Sequence, residues 1–245
     1  MSHEYRTMKY KPGQIREDNV QKILAAGEKV FASQGFKGAS MQQIADLAGI
    51  PKANLHYYFK TKDSLYLELL SRMQSLWNSA LDDFTPSDDP AEVLSRWIEV
   101  KVEMGYQHPL SSKMFAMEVI QGAPHLRRHI REVTRPWFEQ RIATIQQWID
   151  HGRIAVVDPA HLIFLIWSST QHYADYATQI LTLTDQRRYR RKDIEHIKGS
   201  LIRMILAGCG LTIPERWQTV LSSQPDFLEV SPVQIELQGG NQRLA

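Results

Sequence analysis

An all-α fold in two parts is predicted for this 245-residue chain by three observations. Residues 40–65, SMQQIADLAGIPKANLHYYFKTKDSL, read as a short helix, a Gly turn and a second short helix. From residue 90 onward nearly every ordered segment carries apolar residues at helical spacing. Only Val233 to Leu237, after Pro232, alternates with period two, enough for one short strand or none.

Taken in order, residues 1–17 are polar, with Arg6, Lys9, Lys11 and Arg16 around Pro12-Gly13, and are expected to form a flexible basic arm. Such an arm either reaches a DNA minor groove or is simply solvated. A first helix follows from about Asp18 to Gln34, with Val20, Ile23, Leu24 and Phe31 on one stripe and Gly35 at its end. Ser40 and Gln43 make a capping box for the second helix, which presents Ile44, Ala45, Leu47 and Ala48 as an apolar face. Gly49 supplies the backbone freedom for its end, and Pro51 suits the start of the third helix. That third helix carries Lys52, Asn54, His56, Tyr57 and Tyr58 outward, with Leu55 and Phe59 inward. A helix pair of this form places its second member in a DNA major groove.

A fourth helix is expected from Thr61 through Leu65, Leu69, Met73, Leu76 and Trp77 to about Phe84, long enough to enter the next domain and carry movement there. The run from Thr85 to Pro90 breaks the chain. Helices then read over 91–107, 109–121, about 125–132, 135–152, 159–181 and 190–209. The domains so defined are the arm over 1–17, a helix-turn-helix domain over 18–65, a ligand-binding and dimerisation domain over 66–212, and a tail over 213–245.

Residues 158–181 are the most informative of the second part. Asp158 is a good N-cap and Pro159 stands where a missing N–H costs nothing. At 100° per residue, Ile163, Trp167, Thr170, Gln171, Ala174 and Thr178 fall on one side, and Leu162, Leu165, Ser169, Tyr173 and Tyr176 on the other. Two apolar faces imply burial on both, one against the domain core and one against a second subunit. Ile194, Ile197, Leu201, Ile202, Met204 and Ile205 of the last helix suit the same seam. Trp167 and Gln171, one turn apart, suit a flat polar heterocycle, with Trp77 placed to close the pocket. The same residues equally suit an ordinary core in which the amide is satisfied by a neighbouring helix.

Composition sets bounds. Apolar residues at 43% and charged residues at 23% describe an ordinary globular protein. Neither a signal peptide nor an apolar stretch of about 20 residues is present, and the single cysteine, Cys209, argues against a disulfide or a cysteine-based zinc site. No metal or cofactor is expected, and a cytoplasmic setting is. The net charge of +2 is uneven: residues 1–65 carry +4 and the remainder −2, which suits phosphate binding by the first segment or a merely basic surface.

The run from Gln43-Ile44-Ala45 through Tyr57-Tyr58-Phe59 to Lys62 and Leu65 resembles the DNA-binding segment of TetR-family transcriptional regulators. The resemblance implies a homodimer whose paired third helices read a palindromic operator on double-stranded DNA. It implies that Ser40, Lys52, Ala53, Asn54, His56, Tyr57, Tyr58 and Lys62 occupy DNA-facing positions. Lys52 and Asn54 donate to base edges in that reading, Ala53 permits close approach, and Tyr57, Tyr58, Lys62 and Ser40 address phosphates. Tyr57 or Tyr58 packed on the bundle, and His56 merely solvated, are the plainer alternatives. Pro51 and His56 depart from the family pattern, where Ser and Tyr are common, and bear on base preference rather than fold.

Within the family, residues 20–181 resemble the regulators of pyrimidine utilisation, through LHYYFKTKDSLY, MFAMEVIQGAP and DPAHLIFLIWSSTQHYADYA. This likeness implies an effector such as uracil or thymine, with Trp77, Trp167, Gln171 and Tyr173 as candidate contacts, although the helical count sets Tyr173 on the opposite face. The arginine-rich region 187–191 and the tail have no counterpart in it. Two other classes stay open from the residues themselves. A helical enzyme is one, but HExxH, GxSxG and a phosphate-binding Gly loop are all lacking. A structural DNA-binding protein that ignores small molecules is the other.

Overall fold

Residues 12–79 and 84–222 are described by the computed structural model, and no strand forms among them. The period-two run at 233–237 lies outside the described residues, as do residues 1–11 of the expected arm. Residues 12–17 are already helical, the opening turns of α1 (Pro12–Gly38), so helix begins earlier than the sequence suggests. Gly35, at φ 67° and ψ 175°, is non-helical and ends the long first run as expected, with a short further piece up to Gly38 beyond the kink.

Two short helices between two long ones build the first unit. The capping box at Ser40 forms as expected: the Ser40 hydroxyl accepts from the Gln43 N–H at 3.2 Å, and the Gln43 side chain accepts from the Ser40 N–H at 3.0 Å. It starts α2 (Met41–Ala48), which ends on Gly49 at φ 67°. α3 (Lys52–Tyr58) follows and inserts only Leu55 inward, fully buried. Ile23, Phe31, Ile44 and Leu65 surround it, also fully buried. Each such side chain contributes about 1.5–3 kcal/mol by leaving water. α4 (Lys62–Ser79) closes the unit and runs on out of it.

The interior of this unit does not stop at residue 65. Leu69 and Leu70 belong to it, and so do Met114, Ala123 and Leu126 from the second part of the chain. α6 (Pro109–Ile120) and the turn after it therefore act as a lid on the helix-turn-helix.

The second core is assembled by α5 (Pro90–Gln107), α8 (Arg135–Asp150), α9 (Pro159–Asp175) and α11 (Arg191–Gly208). Asp89 and Asp158 cap α5 and α9, each followed by Pro at the first helical position. Between α6 and α8 the short α7 (Arg127–His129) passes through a π turn at Ile130–Thr134. The helix expected over 159–181 is broken at Tyr176, beyond which α10 (Ala177–Leu183) begins. The tail is not wholly an appendage: α12 (Glu215–Ser222) buries Trp217 against the second core, and Arg216 pairs with Glu92 and Glu99 of α5.

Two expectations about the subunit seam change. Ile194, Ile197, Leu201, Ile202 and Ile205 of α11 are buried inside this chain's own core, because α11 packs along α5 and leaves Met204 outside at 60% exposure. Leu162 is likewise core, whereas Leu165 is 51% exposed.

Candidate functional site

The third helix is almost bare. Lys52, Ala53, Asn54 and His56 are exposed, and Tyr57 is 75% exposed with its ring edge-on to Tyr58 at 5.2 Å. Because α3 has seven residues and buries only Leu55, the rest of its surface is free to meet another molecule. Tyr58 is half-buried, and its hydroxyl accepts from the Asn19 amide at 3.3 Å, which ties α3 to α1. Ser40 is exposed, although its hydroxyl serves the capping box.

Lys62 does not point outward as the sequence reading supposes. Its ammonium donates to the carbonyls of Phe36 at 2.8 Å and Ala39 at 2.9 Å and lies 4.5 Å from the centre of the Phe36 ring. Carbonyls at the end of a helix lack helical partners, and a nearby cation satisfies them. Two of its three donors are thus used within the protein.

In the second part, α4, α5, α6, α8 and α9 enclose a cavity of about 300 Å³. Trp77, Trp167 and Gln171 all line it, so three of the four residues singled out from the sequence meet in one place. Trp137 stacks on Trp167 with ring centres 6.1 Å apart, and Phe115 meets Trp77 edge-on at 4.7 Å. Tyr173 is elsewhere: as the helical count indicates, it faces away and lines a different cavity.

Two buried polar residues of the cavity escape the sequence reading. Gln74, only 7% exposed, has an amide oxygen with no hydrogen-bond donor among the described residues. Lys101, 4% exposed, sets its ammonium 4.0 Å from the centre of the Trp77 indole. Burial lowers the Lys101 ammonium to about 7, partly offset by the charge of Asp175, whose own carboxyl is raised by burial. Both residues had a signal. Gln74 precedes Trp77 by one helical turn, and Lys101 interrupts the α5 stripe of Leu94, Trp97, Ile98 and Val102. A buried acceptor without a donor costs about 1–3 kcal/mol, and a buried ammonium more, so neither is explained by packing.

A polar knot joins the cavity wall to the helix-turn-helix. Phe115 and Val119 line the cavity from α6, and Glu118 stands between them, buried and facing the other way. Its carboxylate accepts from the backbone N–H of His125 at 2.6 Å and of Leu126 at 3.2 Å, and sits 3.1 Å from His125 Nδ1. The His125 ring packs on Phe36 at 4.2 Å and Tyr66 at 5.1 Å, and its Nε2 is 3.7 Å from Asp63. Burial, with the Glu118 charge added, raises the Tyr66 phenol above its ordinary range.

Residues 23–69 match the family described as bacterial regulatory proteins, tetR family, and residues 70–212 match the YcdC-like protein, C-terminal region. The chain belongs to the TetR family of transcriptional regulators, whose members are not enzymes. Among individual relatives it is 38% identical to the HTH-type transcriptional regulator RutR of Escherichia coli over 162 residues, 66% of this chain and 76% of that one. Solved structures with the same fold include a TetR-like transcriptional regulator from Rhodococcus, at TM-score 0.58 and 21% identity, covering 78% of this chain and 94% of that one. Another is FadR from Bacillus subtilis in complex with stearoyl-CoA, at TM-score 0.57 and 18% identity, covering 77% and 98%. No helix among the described residues is long and apolar enough to cross a membrane.

Proposed function

We propose that this regulator is a cytoplasmic homodimeric repressor released from its operator by a small, flat nitrogen heterocycle of the uracil or thymine kind. The observation that carries the proposal is the cavity in which indoles from three helices surround Gln171, the unpartnered Gln74 oxygen and the Lys101 ammonium. A pyrimidine dione has two N–H donors, two carbonyl acceptors and two aromatic faces. Gln74 offers an acceptor, Lys101 a donor, Gln171 both, and Trp77 and Trp167 offer faces. A ligand that satisfies buried groups recovers free energy that the empty cavity forgoes, which gives it a preference for one protein conformation.

Uptake of such a ligand would press on Phe115 and Val119 and so shift α6. Glu118 and His125 on that segment hold Asp63, Tyr66 and Phe36 of the DNA-binding unit, so the third helices of a dimer would change separation. In this reading Lys52, Ala53, Asn54 and Tyr57 read the operator, Ser40, His56 and Tyr58 flank it, and the third donor of Lys62 faces phosphate. The exposed Leu165 and Met204 contribute to the subunit contact.

The test is operator release measured by fluorescence anisotropy on a DNA site selected with the protein itself. Uracil or thymine is expected to release the wild type. Gln171→Ala and Trp167→Ala are expected to hold the operator yet ignore the base. A folded Gln171→Ala protein that no longer binds operator would count against the assignment.

A further inference from the structure

The arginine-rich stretch after α10, which the likeness to pyrimidine regulators leaves without a role, borders a second cavity of about 280 Å³. This cavity lies between α5, α9, α10 and the start of α11, and shares no lining residue with the first. Its interior is apolar, formed by Val102, Ala174, Ala177, Leu181 and Ile194. Tyr173 and Tyr189 form one wall, held together by the Tyr189 hydroxyl donating to the Tyr173 carbonyl at 2.9 Å.

The charges at this site are uneven in a way that points to a ligand. Arg190 is bound by Asp193 and Arg191 by Glu103 and Glu195. Arg187 and Arg188, which also line the cavity and are exposed, form no ion pair or hydrogen bond with the described residues. No carboxylate lines the cavity to neutralise them. An apolar cleft that opens to solvent beside two exposed guanidinium groups without a protein partner fits an anion with an apolar body, since guanidinium matches the fork of a carboxylate. The volume of about 280 Å³ lies just below the usual range of ligand pockets, about 300 to 1,000 Å³, and so suits a small ligand.

We infer that this cavity is a second ligand site, taking a small organic carboxylate with its apolar portion among Ala177, Leu181 and Ile194 and its charge at Arg187 and Arg188. The inference does not depend on the heterocycle reading, because the two cavities are lined by different residues.

Isothermal titration calorimetry of the full chain with 3-phenylpropanoate, and with its neutral amide, tests it. The carboxylate is expected to bind the wild type at least about tenfold more tightly than the amide, the ratio that one charge-assisted hydrogen bond supports. R187Q/R188Q is expected to remove that preference, and Ala177→Phe, which fills the space and spares the arginines, to abolish binding of both. Trp167→Ala is expected to leave carboxylate binding unchanged while losing any response to uracil, which separates the two readings. Absence of carboxylate binding to the wild type, or equal affinity in R187Q/R188Q, would overturn the site. Loss of binding in Trp167→Ala would place the ligand in the first cavity and overturn it equally. A shift of R187Q/R188Q to monomer in sedimentation would assign the arginines to a subunit contact, with the same consequence.

Discussion

The face of α3 and the indole-lined cavity both carry polar side chains, under opposite conditions. On α3, Lys52, Asn54 and His56 stand in solvent, where an unmet hydrogen bond costs nothing because water supplies the partner. In the cavity, Gln74 and Lys101 are withdrawn from water, the Gln74 amide oxygen has no donor among the described residues, and the Lys101 ammonium rests on the Trp77 ring. The contrast teaches that polar groups on an exposed face are held ready without loss of stability, whereas polar groups lining a buried cavity are held at the protein's expense.

The largest expected effect breaks the first half of that contrast. Leu55→Ala removes the single inward anchor of α3 and should cost about 2–5 kcal/mol of stability, read by urea denaturation, with operator binding falling in parallel. Gln74→Leu sharpens the second half. Exchanging the unpartnered amide for an apolar group of similar size should stabilise the protein by about 1–3 kcal/mol while weakening response to uracil, and a destabilised variant would mean that the amide already has its partner. Lys52→Ala or Asn54→Ala should weaken operator binding by about 1–3 kcal/mol in anisotropy titrations, with stability unchanged within about 0.5 kcal/mol.

The effect smallest per step of the variable, though it accumulates over several pH units, is one of pH. Lys101 titrates near 7 in the folded chain against 10.5 for a free lysine, so between those values the unfolded chain binds more protons. Stability should therefore gain from Lys101 as pH rises through that window, by up to about 1.4 kcal/mol per pH unit, and the gain should vanish in Lys101→Met.

What the sequence made legible is what local chemistry decides. The Ser40–Gln43 box, the Asp158 cap and the Gly49 turn depend on residues a few positions apart, and all form. The bare face of α3 follows from its pattern as well. Trp77, Trp167 and Gln171 come together because α4 and α9 each present one stripe inward. Features set by distant packing were hidden. The inward turn of Lys62 depends on where the end of α1 stops, and the burial of α11 depends on its whole length lying on α5. Lys101 was visible as a flaw in an apolar stripe, but its environment needs Trp77 and Asp175 from two other helices.

The borrowed lid over the helix-turn-helix has an evolutionary corollary. A segment whose interior is finished by Met114, Ala123 and Leu126 cannot be exchanged between relatives as a self-sufficient cassette. A graft cut after residue 79 would bring new operator preference only if the recipient's own α6 happened to fit the transplanted hydrophobic seat. Lineages that change operators should therefore do so by substitution along α3, leaving the seat under it alone.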